Sequence, residues 1–308
     1  MAAPENLTTA SQITPSIREV DFVTQFQKNW DALRTILGIM RPIRKAPGTK
    51  LVSYKATVDG GLQGGTAVGE GEDIPLTKTK VEPVAYDDIE LGKWAKAVSI
   101  EAVTKYGAAV AVERTDTAFR NELQKKVLTD FYTFLKTGKL VGTQKTWQRA
   151  LAIAKGAVLK RFANDNLDVT EVVGFANIMD FYDYLGDKEI TVQTEFGLNY
   201  VKNFLGYSTL FLLPDAFIEQ KKVIAVPVEN IDLYYVDPAD RDYATMGANY
   251  TVSGETNLLG YHTEYNYKNA TTTNYAIMGM KLWAEYLDGI AVATITPAET
   301  KSAVKAEQ

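Results

Sequence analysis

The chain contains no cysteine and a single histidine, His262, among its 308 residues. The missing cysteine excludes disulfides, thiolate metal ligands and thiol nucleophiles. Structural zinc draws on several Cys or His ligands, so it has no material here, and a Ser-His-Asp triad would rest on one histidine with no motif around it. His262 lies in an alternating stretch with Tyr261, Tyr265 and Tyr267 and reads as an ordinary, partly exposed strand residue. No apolar run approaches membrane-spanning length. The opening "MAAPENLTTASQITPS" has neither a basic n-region nor an apolar h-region, so no targeting segment is expected. A basic excess is absent too: 33 Lys and Arg stand against 38 Asp and Glu, a formal charge of −5, which argues against strong attraction to nucleic acid.

What is present begins with "DGGLQGGTAVGEGEDIP", Asp59 to Pro75, six glycines and four acids in 17 residues without a base. Gly60 and Gly65 have phosphate-loop spacing, but Thr66 stands where the lysine is required. The dinucleotide pattern fails as well, with Ile74 in place of the third glycine, and Asp59, Glu70, Glu72 and Asp73 repel phosphate. The stretch therefore reads as a loop. It is flanked by the strand-like "KLVSYKATV" and by the mainly extended "AYDDIELGKWAKAVSI", the latter with Trp94, Lys96, Val98 and Ile100 on one face. Such a connection far exceeds the 2–5 residues of a usual hairpin turn. Its apolar residues are chiefly Leu62, Val68 and Ile74, too few for a core, so it orders only against another surface. Directly before it runs a basic segment, Arg41, Arg44, Lys45, Lys50 and Lys55. The carboxylates Asp237, Asp240 and Asp242 of "DPADRDY", like Glu70, Glu72 and Asp73, lack the spacing of a calcium loop and read as turn residues. No catalytic residue, cofactor or metal site is assigned.

Periodicity supplies the rest. Residues 1 to about 18 read as a mobile arm. Phe22, Phe26, Trp30, Leu33 and Leu37 then form one helical stripe ending at Gly38, suited equally to the chain's own core and to a neighbouring subunit. A long helix carries Phe119, Leu123, Val127, Phe131 and Phe134, with Gly138 as its stop; a second carries Trp147, Leu151, Ala154, Val158 and Phe162. Beyond it, "EVVGFAN", "YSTLFLLP", "KKVIAVPV" and "NIDLYYV" read as short strands separated by helical pieces, "MDFYDYLG" and "EFGLNYVKNFLG". "GYHTEYNYKN" and "TTNYAIMGMKLWAEY" read as long strands joined at Asn269–Thr272, and "GIAVATI" as one more.

This order of elements resembles the major capsid proteins of tailed double-stranded DNA bacteriophages, the Hong Kong 97-type fold. The most specific stretch is "GEGEDIPLTKTKVEPVAYDDIELGKWAKAVSIEAV": an "EGEDIP" segment, a strand alternating Lys with apolar residues, then a serine opening the spine helix. The resemblance runs from about Val20 to Ile295. It implies an α+β fold with an N-terminal arm and helix (1–38), an extended-loop hairpin (48–85), a peripheral domain with the spine helix (39–47, 86–138 and 257–286), an axial domain (139–256 and 287–296) and a polar tail (297–308).

The resemblance also implies a non-enzymatic shell subunit, assembling into hexamers and pentamers of an icosahedral particle around packaged double-stranded DNA, synthesised and assembled in the host cytoplasm. Implied partners are further copies of the chain, a portal, decoration proteins and a separate scaffolding protein, since only about twenty residues precede the first helix. With no lysine in the loop tip, cohesion is expected to be noncovalent. The charge pattern adds an expected contact, with Glu70, Glu72 and Asp73 docking near Arg41, Arg44 and Lys45 of a neighbour. The rival readings are an encapsulin-type nanocompartment shell and a cytosolic α+β enzyme using carboxylates such as Asp237 and Asp240.

Overall fold

The computed structural model describes residues 15–37, 40–63, 68–69, 71, 73–186, 192–195, 198–252 and 256–296. Helices and strands mix in an α+β fold with three sheets. Helix α1 (Pro15–Leu37) begins earlier than the composition indicates, at a proline, which suits a first turn whose N–H groups have no helical partner. Phe22, Phe26 and Trp30 are buried in the chain's own core, and the Phe22 ring stacks on Tyr261 at 4.1 Å. Own-core packing is thus the role of this stripe; the side chains of Leu33 and Leu37, and Gly38, lie outside the described residues.

The basic run is itself a strand, β1 (Met40–Lys45). Next come β2 (Leu51–Asp59) and β3 (Lys78–Asp87), an antiparallel pair that forms a sheet of two, and β4 (Leu91–Ser99). Along β4 one face, including Trp94, Lys96 and Val98, is half-buried and the other exposed. Ile100 does not continue it, because helix α2 (Ile100–Tyr106) starts there, capped by the Ser99 hydroxyl, and leaves Ile100 exposed. Ser99 therefore opens this seven-residue helix rather than the spine. Gly107, at φ 79°, ends it, a conformation that disfavours any residue with a Cβ. After a π-helical turn at Ala109–Arg114, the spine α3 (Thr115–Leu135) buries Leu123, Val127, Phe131, Tyr132 and Leu135.

The remaining elements are β5 (Lys139–Gln144), α4 (Trp147–Asn164), β6 (Val172–Asn177), α5 (Ile178–Leu185), β7 (Gln193–Glu195), β8 (Leu198–Phe204), β9 (Tyr207–Leu213), β10 (Lys222–Pro227), β11 (Ile231–Val236), α6 (Arg241–Thr245), β12 (Gly260–Asn266), β13 (Thr271–Ala284) and β14 (Ala291–Ile295). One correction concerns "EFGLNYVKNFLG", which is not helical but contributes β8. Its apolar spacing (Leu198, Val201, Leu205) matches a helix, yet β8 pairs antiparallel with β9, and the positive φ of Leu205 and Gly206 closes the hairpin between them.

Seven strands run β5-β14-β10-β6-β9-β8-β7, and both faces of this sheet are covered. Side chains alternate across β6, so Val173 and Phe175 join the core shared with α1 and α3, while Val172 and Ala176 join the core under α4 and α5. Gly174 is needed there, because a Cβ would lie 2.8 Å from Leu210 Cδ1 and 2.9 Å from Tyr207 Cδ1. The five-stranded sheet runs β1-β11-β13-β12, with β4 also on β13. Thr271–Ile277 of β13 is bonded along both edges, to β12 and β4, and its far half pairs with β11. β1 lies parallel to β11 at the sheet edge, where Pro42 is tolerated.

Candidate functional site

The ribbon of β2 and β3 is the region least served by its own chain. Among the described residues its extensive packing is only between its two strands. One face carries Tyr54, Val58 and Val81, respectively 67%, 44% and 62% exposed, and β3 places Pro83 opposite Tyr54. At the ribbon's end Lys78 and Asp59 pair at 3.5 Å, and Lys80 pairs with Glu82. Two consecutive glycines at positive φ, Gly60 and Gly61, turn the chain out of β2 into the loop. The Gln63 amide donates to the Thr77 hydroxyl across the loop base. Beyond it Leu62, Ile74 and Leu76 are more than three-quarters exposed. Two-stranded ribbons are marginal alone in water, and exposed apolar side chains add to that deficit.

Of the expected acidic contact residues, Asp73 is exposed, while Glu70 and Glu72 lie outside the described residues. The basic residues sit on β1, and most of their charge is already engaged. Arg41 Nε donates to Asp232 Oδ1 at 2.9 Å, and its Nη2 lies 3.7 Å from Glu285 Oε2. The hydrogen bond to Asp232 raises the Arg41 pKa further above its ordinary value. Arg44, pointing to the other face, reaches Asp237 at 3.4 Å and Asp240 at 3.0 Å. Asp240 is held below the usual carboxylate range by the Asp242 amide and then by Arg44. Lys45 differs: its ammonium stands 4.7 Å over the Tyr234 ring.

These same contacts involve the "DPADRDY" carboxylates. Asp237 accepts from the Ala239 amide and from Asn257, and Asp240 caps α6 through the Asp242 amide. They are turn and cap residues, and among the described residues no group of three potential metal ligands occurs. His262 is half-exposed on β12, its Nδ1 3.9 Å from Glu19 Oε1. Among the described residues no helix is long and apolar enough to cross a membrane.

Two features escape a reading of the sequence. One is a cluster fixing α1: Arg18 donates twice to Asp116, at 2.6 and 2.7 Å, and Lys96 reaches the same carboxylate. Desolvation lowers the Lys96 pKa despite that partner. Glu19 adds bonds to the Thr251 hydroxyl and the Thr263 amide. The other is a cleft of about 250 Å³ at the root of the ribbon, lined by Lys45, Lys50, Leu51, Tyr234 and Trp283, with Asp232 and Glu285. Neither has a local signal, because each joins residues from distant parts of the chain.

No family model matches the chain, and no curated protein matches it in sequence. Solved structures do match in fold. The mature capsid of bacteriophage PhiM1 superposes with a TM-score of 0.53 at 8% identity, over 85% of this chain and 86% of that one. The SrpI encapsulin of Synechococcus elongatus PCC 7942 gives 0.51 at 13%, over 96% and 92%. A chain of Mycobacterium phage Patience gives 0.50 at 9%, over 94% and 90%. The fold of this chain is the Hong Kong 97-like fold shared by phage capsid and encapsulin proteins.

Proposed function

We propose that this chain is a structural shell subunit, the major capsid protein of a tailed bacteriophage, whose copies form hexameric and pentameric capsomers of an icosahedral shell around double-stranded DNA. The observation that carries this reading is the β2–β3 ribbon with its loop: on a shell-type fold, it presents Tyr54, Val58, Val81, Ile74 and Leu76 to solvent with no cover from the described residues of its own chain. Burial of apolar area, at roughly 25 cal/mol per Å², is gained only against another copy. In this reading residues 48–85 are the extended loop, 39–47, 86–138 and 257–286 with the spine form the peripheral domain, and 139–256 and 287–296 with the seven-stranded sheet form the axial domain, β11 of the axial range joining the five-stranded sheet of the peripheral one. Portal, scaffolding and decoration proteins complete the particle in the host cytoplasm. The acidic loop docks on the basic segment of a neighbour, and the subunit's role is architectural rather than catalytic.

Sizing the purified protein tests the proposal. Capsomers, shells or large assemblies are expected in light scattering and negative-stain images; a stable monomer at high concentration sinks it. The encapsulin likeness, which spans nearly the whole of both chains, supports a second reading, a shell that encloses protein cargo. Native particles decide between the two: nuclease-protected double-stranded DNA fits the capsid, and enclosed protein without DNA fits the nanocompartment.

A further inference from the structure

We propose that the cleft at the root of the ribbon binds a nucleoside phosphate, one nucleotide unit per chain. The inference stands on the cleft alone and goes beyond the shell reading. Two lysines are brought to the cleft by a tight turn. β1 ends at Lys45, and the Thr49 amide then donates to the Ala46 carbonyl at 3.2 Å around Pro47 and Gly48. Gly48 has φ 76°, the positive value that a type II turn requires at the residue after its proline. Lys45 and Lys50 flank this turn, and both line the cleft. Among the described residues neither is paired with a carboxylate, so their charge is open to a ligand phosphate.

The rest of the lining suits a base. Asp232 and Trp283 are cross-strand partners on β11 and β13, and Tyr234, two residues beyond Asp232, shares their face. The Lys45 ammonium stands over the Tyr234 ring, which leaves the half-buried Trp283 indole as the flat wall for stacking. Asp232 and Glu285 line the cleft as well. Arg41 holds both, and a carboxylate so held keeps lone pairs for the N–H groups of a base. The lining therefore asks for an anion, a ring and N–H donors in one ligand. A bare anion would meet the two carboxylates with nothing to offer them, and an apolar ring would leave the lysines unanswered. The volume of about 250 Å³ lies just below the ~300–1,000 Å³ usual for small-molecule pockets. It suits a mononucleotide or the splayed end of a single strand, not the paired bases of a duplex.

Equilibrium dialysis of the full chain against labelled deoxyadenosine monophosphate, at fixed ionic strength and in whatever state of assembly the protein adopts, tests this. Saturable binding is expected, with inorganic phosphate competing at least about fivefold more weakly than the unlabelled nucleotide. Lys45→Ala with Lys50→Ala should weaken binding about tenfold. Trp283→Leu, which keeps an apolar side chain but no flat ring, should remove the preference over phosphate. The lysine pair keeps the proposal testable if Trp283→Leu fails to fold. A short single-stranded oligonucleotide distinguishes the source of the ligand: tighter competition than the mononucleotide assigns the cleft to nucleic acid, and equal or weaker competition assigns it to free nucleotide. No saturable binding, equal competition by inorganic phosphate, or unchanged binding in the double lysine variant overturns the proposal. Shell formation, read separately by light scattering, is untouched by any of these results.

Discussion

The seven-stranded sheet and the two-stranded ribbon draw on the same kinds of residue, Val, Tyr and Leu among them, yet they dispose of them in opposite ways. In the sheet, both faces of β6 are covered, and Phe175 sits among Phe131, Tyr132 and Phe211 with no exposure. In the ribbon, Tyr54 and Val81 are mostly exposed. The difference teaches where each region's free energy is collected. The sheet collects it within one chain, whereas the ribbon, among the described residues, has its ladder hydrogen bonds and exposed ion pairs and leaves Tyr54 and Val81 uncovered.

Changes in the sheet and its core should therefore act on the monomer, and changes in the ribbon on assembly. The largest expected effect comes from alkali. Tyr132, Tyr207 and Tyr261 are buried, and desolvation pushes each phenol well above its ordinary value. Above pH ~10 the unfolded chain releases protons that the folded chain retains, so stability is complete below that value and falls as pH rises, by about 1.4 kcal/mol per tyrosine per pH unit. Denaturant unfolding of the monomer at pH 8 and pH 11 checks this, and an unchanged midpoint would contradict the burial of these phenols. Next, Phe175→Ala should cost about 3–5 kcal/mol through the cavity it leaves, read as a lower unfolding midpoint. Asp116→Asn should cost about 2–3 kcal/mol, because Arg18 and Lys96 lose their shared charged acceptor, and should free α1 to faster amide exchange. Smallest for the monomer is Val81→Asp on the ribbon. It should stay within about 0.5 kcal/mol of wild type in unfolding, yet reduce the sedimenting shell fraction. A ribbon variant that unfolds the monomer, or leaves shells untouched, would erase the contrast between the two regions.

Much of the scaffold was legible because it obeys a local period. The stripes of α3 and α4 stand at helical spacing, and the glycine-rich loop announced its length and its lack of core residues. β8 was not legible. Leu198, Val201 and Leu205 recur at helical intervals, and only the ladder to β9 makes them a strand. β1 was read as a basic segment, since a strand of two arginines, a lysine and a proline has little intrinsic preference; the parallel partner β11 and the distant acids Asp232, Asp237 and Asp240 hold it. For the site, the charge segregation of loop and basic run could be read directly. The prior engagement of Arg41 and Arg44 could not, because their partners lie nearly two hundred residues away in the chain.

By itself, the sequence determined that no thiol is present, that two long amphipathic helices form, and that an acidic glycine loop lacks apolar residues for a core of its own. Those are properties of composition and short-range spacing, which act before the chain is folded. Only the tertiary structure decided that the α1 stripe packs at home, that the basic arginines are already engaged, and that Lys45, Lys50, Leu51 and Trp283 meet in one cleft. Such juxtapositions depend on strand register, which is selected by packing across the whole fold rather than by any local stretch.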